Sequence, residues 1–106
     1  MTDAELRIVV LVGLQTALLG QISERLRAVI CSWNSNLLSI TAIFDGTLSE
    51  SDAEGMSEVE TEMISHLPDL QVTLQIKHLD VPSLIVLKRG EVFVFLRKEL
   101  ESGTVA

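Results

Sequence analysis

The sequence predicts an α+β fold, a two-layer sandwich with two helices on one face of a mainly antiparallel sheet, in the order αββαββ. Three observations carry this. Residues 37–44 and 69–79 alternate apolar and polar side chains, the period of two that marks half-buried strands. Residues 49–67 repeat apolar side chains in the 3.6-residue period of a helix lying on a core. The 106 residues are 47% hydrophobic, which fits one domain, 1–106, with a single core.

The elements follow in chain order. "LRIVVLV" alone suits a buried strand, but its continuation "GLQTALLG" favours a helix over residues 3–19. Leu6, Val10, Leu14 and Leu18 then fall at i+4 steps, and Gly20 stands where a left-handed residue ends a helix. Such a helix is apolar nearly all round, with Ile8, Leu11, Val12 and Leu19 in excess of what one sheet covers. Residues 24–33 read as a strand, with Leu26, Ala28 and Ile30 facing in and Arg25 and Arg27 facing water. "NSN" at 34–36 is turn chemistry, so 24–33 and 37–44 form a hairpin. Ser49 caps the second helix, with Asp52 completing a capping box, and Pro68 ends it near Leu67. After the strand at 69–79, "LIVL" (84–87) and "VFVFLR" (92–97) predict a final hairpin.

Charge is segregated. The net charge is -7, from 15 acids against 8 bases, and residues 28–76 hold no Lys or Arg but eight acids. This argues against nucleic acid as a ligand, because phosphates are neutralised by Lys and Arg. On a helical wheel Ala53, Met56, Val59, Met63, Ile64 and Leu67 share the arc facing the sheet. Glu50, Glu54, Glu58 and Glu62 line the opposite side at i+4 steps. Like charges so spaced cost about 0.2–0.5 kcal/mol per pair, and no Lys or Arg in the helix relieves them. The plain reading is a solvated, solubilising face; the functional one is a surface for a basic protein. Together with Asp45, these glutamates are the candidate partner-binding residues. Glu60 falls inside the apolar arc, so it either pairs with a base from the sheet, the reading favoured for a buried acid, or lies at the arc's edge.

No other residue set carries chemistry. Cys31, the single cysteine, lies in an apolar run and reads as an inert buried thiol of a reducing compartment. His66 and His78 have no Cys or His at metal-ligand spacing; a helix end and a strand's wet face account for them. Glu54 and Glu58 lack a calcium-loop pattern. "GLQTALLGQ" lacks phosphate-loop spacing and a Lys. Trp33 reads as sheet packing. No catalytic, metal-binding or cofactor-binding residue is therefore expected, and no enzymatic activity. The first residues are acidic and the following apolar run is broken by Arg7, Gln15 and Thr16, unlike a signal peptide. No stretch reaches the roughly 20 apolar residues of a membrane span. The expected location is the cytoplasm, with no membrane contact.

Three stretches in order, "LQTALLGQISERLRAV" (14–29), "FDGTLSESDAEGMSEVETEMISHLPD" (44–69) and "FLRKE" (95–99), resemble a family of small bacterial proteins. Relatives of that family occur among the immunity proteins of colicin-like and contact-dependent inhibition toxins. The resemblance covers most of the chain and implies no residue-level site. It implies an immunity or inhibitor protein that neutralises a bacterial toxin. Immunity proteins of nuclease toxins are often acidic because they cover a basic nucleic-acid-binding surface. The expected partner is therefore a basic toxin domain, nucleases included. The alternative is a non-catalytic structural or regulatory domain that self-associates, as a homodimer, through its apolar first helix.

Overall fold

A computed structural model of the chain describes residues 1–99. Helix α1 (Asp3–Ala17) is followed by strands β1 (Leu26–Trp33) and β2 (Leu37–Phe44), helix α2 (Glu50–His66), and strands β3 (Gln71–His78) and β4 (Val92–Leu96). The predicted α+β class and its order hold. Both helices start on reciprocal capping boxes, each satisfying amides that a helix leaves unpaired. Thr2 and Glu5 serve α1, and Ser49 and Asp52 serve α2. The turn between β1 and β2 is fixed by Asn34, whose Oδ1 accepts from the amides of Asn36 and Leu37 at 2.7 and 2.9 Å.

The sheet order is β3-β2-β1-β4. β1 runs antiparallel to β2 and to β4, whereas β3 lies parallel to β2, the two joined by α2 as parallel neighbours require. Both helices cover one face. Leu6, Val10 and Leu14 of α1 and Met56, Val59 and Met63 of α2 meet Val29, Cys31, Leu38, Ile40 and Phe44 in one core. The helices approach closely where α1 carries Gly13, since a Cβ there would sit 3.2 Å from Met63 Cε.

Three expectations are corrected. First, no final hairpin forms, because 84–87 is not a strand and β4 pairs with β1. β3 and β4 lie at opposite edges, so the chain between them must cross the sheet. It does so on the face away from the helices, where Leu79, Ile85 and Leu87 pack on Ala28, Ile30 and Ile43. Second, Arg27 does not face water. A register shift between Leu26 and Ala28 breaks the alternation, leaving Leu26 in the helix-side core and Ala28 and Ile30 in the opposite cluster. Arg27 is fully buried, its guanidinium bound in bidentate fashion to Glu99 at 2.7 and 2.9 Å and to the Leu79 carbonyl at 2.8 Å. Third, Ile64 is exposed rather than sheet-facing, because the buried arc of α2 is narrower than predicted and runs through Met56, Val59 and Met63.

Candidate functional site

The acidic helix is positioned by its first turn. The Ser49 Oγ accepts from the Asp52 amide at 3.0 Å, and Asp52 reaches back to the Ser49 amide at 3.4 Å. Asp52 is also gripped by Arg25 at 2.8 Å, which ties α2 to the start of β1. Burial pushes the Asp52 carboxyl up, but the bonds from Arg25, Ser23 and Ser49 outweigh it and hold the group at about 2. Sequence reading placed Asp52 in the cap but missed Arg25, which is 27 residues away.

With Asp52 turned inward, Glu50, Glu54 and Glu58 are exposed and Glu62 is half-exposed, forming the ridge that the wheel predicts. Two of the four have light tethers. Glu58 accepts from Gln21 Nε2 at 3.3 Å, and Glu62 stands 3.5 Å from His66 Nε2, one turn on. Gly55 leaves room for Gln21 to lie across the helix, since a Cβ there would come 2.7 Å from Gln21 Oε1. The ridge thus borders the groove between α2 and the turn after α1.

Asp45 has different surroundings. Its carboxylate lies 3.3 Å from Arg97 and accepts from the Val81 amide at 3.3 Å. Arg97 also contacts Glu99 at 2.9 Å, so Asp45 joins the network that ends on buried Arg27. The Arg27 contact is the main cause that holds the Glu99 carboxyl below its ordinary value, against the cost of burial. Glu60 corrects another expectation, since it meets a backbone amide rather than a base. Its Oε2 accepts from the amide of Leu74 at 3.0 Å. β3 is an edge strand, and this carboxylate occupies one of its outward amides.

The two helices hold eight of the fifteen acids but only one of the eight Lys and Arg, Arg7. The rest of the chain holds seven of each, so the net charge of -7 is the charge of the helical layer. Arg7 does not neutralise the ridge; its guanidinium lies over the Trp33 ring, 5.8 Å from the centroid.

The remaining candidates have structural surroundings. Cys31 is buried, and desolvation pushes its thiol up to about 11, the opposite of an activated nucleophile. His78 is exposed and pairs with Asp80 at 2.6 Å. Trp33 packs at the margin of the core. A cleft of about 260 Å³ under the β3–β4 connection is lined by Thr41, Gln75, Lys77, Lys88 and Glu91 over an apolar floor, without a histidine or the cysteine. Among the described residues no group of three or more His, Cys, Asp and Glu is placed to hold a metal ion. No helix there is long and apolar enough to cross a membrane.

A small sandwich with one strongly charged layer has the make-up of a protein-binding module, and immunity proteins are such modules. The chain belongs to the MafI2 immunity protein family, whose model matches residues 7–99. Membership places it among proteins that neutralise toxins. No curated protein matches it in sequence.

Proposed function

We propose that this single-domain chain neutralises a basic toxin domain in the cytoplasm, by binding it through the Glu50-Glu54-Glu58-Glu62 ridge of α2 rather than by catalysis. The observation that carries this reading is the partition of charge. The surplus in the sequence lies on the two helices, while the rest of the sequence is balanced. A field concentrated on one face steers an oppositely charged partner into a productive orientation and raises its association rate. The single cysteine, buried and without a disulfide partner, agrees with the cytoplasm. Asp45, engaged by Arg97, adds to the field more than to direct pairing.

A nuclease is the toxin class that fits best. Its substrate-binding surface must be cationic to hold phosphates, and an acidic layer complements such a surface.

The test is association kinetics against the cognate toxin domain, to be sought first in the reading frame directly upstream. Glu54→Gln, Glu58→Gln and Glu62→Gln together should slow association by about tenfold at low salt and flatten its salt dependence. An unchanged on-rate with an unchanged salt slope would return the ridge to solubilising surface.

A further inference from the structure

We propose that the toxin contact continues from the acidic ridge onto α1, where Ile8, Val12 and Leu19, with Ile22 beside them, form its apolar centre. This rests on the reading above and names what that reading leaves out, the source of complex lifetime.

Ile8, Val12, Leu19 and Ile22 are 61, 55, 76 and 46% exposed. Ile8 and Val12 stand one turn apart, on the side of α1 opposite buried Leu6, Val10, Leu14 and Ala17. Leu19 and Ile22 continue the apolar run in the turn that follows the helix. Scattered exposed apolar residues are ordinary, but four within fifteen positions of one element and its turn are a patch. That patch adjoins the ridge. Gly13 packs against Met63 and lies near His66, and Gln21, between Leu19 and Ile22, reaches Glu58. α2 holds no Lys or Arg, so every charge bordering the patch along α2 is negative or a histidine; of the flanking bases, Arg7 lies over Trp33 and Arg25 is bound to Asp52.

Apolar side chains at the centre with charged groups around them is the anatomy of a specific protein interface. The charge decides the occupant. A second copy docked by a two-fold axis would present the same face to itself and bring two acidic ridges together. The surface instead fits a basic domain that offers apolar side chains between lysines and arginines.

The two parts of the surface then separate kinetically against the same toxin domain in a catalytically inactive form. Ile8→Gln, Val12→Gln and Leu19→Gln together should raise the dissociation rate by about a hundredfold and leave association within about twofold. The glutamate triple variant should slow association instead. All six substitutions are at exposed or half-exposed positions, and thermal unfolding of each variant checks that the fold is kept. Slowed association in the glutamate variant, with an unchanged dissociation rate in the apolar one, would overturn this proposal and leave the ridge reading standing. Two unchanged variants would overturn both. Sedimentation of the free protein gives a third arm. A concentration-dependent dimer that the apolar variant abolishes would assign the patch to a second copy and overturn the proposal.

Discussion

Glu99 and the glutamates of α2 are the same side chain in opposite circumstances. Glu99 has a nearly buried side chain, is held by Arg27 and Arg97, and closes the end of β4 onto β1. Glu50 and Glu54 point into solvent, and their nearest helical neighbours of the ridge carry like charge. The first arrangement costs several kcal/mol of desolvation and is viable only because its hydrogen bonds are complete. The second costs a few tenths of a kcal/mol and contributes nothing to the fold. Acids serve this protein's architecture where an arginine or a backbone amide has been placed to meet them; the others, solvent-facing or only lightly tethered, are those we propose meet another molecule. Asp52, Asp45 and Glu60 belong with the first group, the ridge with the second.

The contrast can be attacked at its strongest point. Arg27→Ala leaves Glu99 without its bidentate partner beneath the β3–β4 connection. It should lower stability by about 3–5 kcal/mol in urea unfolding. Replacing Arg27 and Glu99 together by Leu should recover much of that loss, since no buried charge then remains unpaired. A loss below about 1 kcal/mol for the single variant would mean that water reaches the pair, and the contrast with the ridge would weaken.

Ser49→Ala removes the cap of α2 and should cost about 1 kcal/mol. Asp52 sharpens the same point through pH. Its folded value of about 2 lies below the ordinary 3.8, so its contribution is complete above the ordinary value and is lost as pH falls towards 2. The stability difference between wild type and Asp52→Asn should therefore be constant from neutral pH down to about 4.5 and shrink between about 4 and 2. A difference that persists at pH 2 would assign the effect to shape rather than charge.

Glu60→Ala frees the Leu74 amide at the sheet edge and should cost about 1 kcal/mol or less. The more telling readout is association of the edge, seen as a rise in light scattering at high concentration. Smallest of all is the ridge. The Glu54, Glu58 and Glu62 to Gln variant removes two i+4 repulsions and should be more stable than wild type by a few tenths of a kcal/mol in urea. A destabilised triple variant would show that the tethers from Gln21 and His66 matter more than the repulsions.

Local periodicity made much of this legible. The arc of α2 through Met56, Val59 and Met63, the alternation of Leu38, Ile40, Ala42 and Phe44, and the Ser49–Asp52 cap are written in neighbouring residues, and each is present. What the chain did not disclose was which distant segment lies alongside. "LIVL" and "VFVFL" each carry apolar strand-like character, but only β1 decides that one is a strand and the other a cover for the sheet. The shift at Leu26 and Ala28 is one residue long and leaves no compositional mark, so Arg27 read as a surface residue. Glu60 was placed correctly on the inner arc, but its partner, a backbone amide, has no letter in the sequence. The ridge was legible because it depends on nothing distant.

The Arg27–Glu99 bond spans 72 residues of sequence, close to three quarters of the described residues. Contacts of such separation are slow to close, because the loop entropy must be lost before the contact repays it. The segment from β1 through β3 can assemble from nearer neighbours, but until residues 92–99 arrive one side of β1 is bare and Arg27 lacks its bidentate partner. Residues 92–99 therefore act as a latch on a nascent sheet. A chain cut anywhere between Leu96 and Glu99 would keep every strand and still leave Arg27 without its bidentate partner. Such a product is a natural target for the quality control that removes incompletely folded proteins.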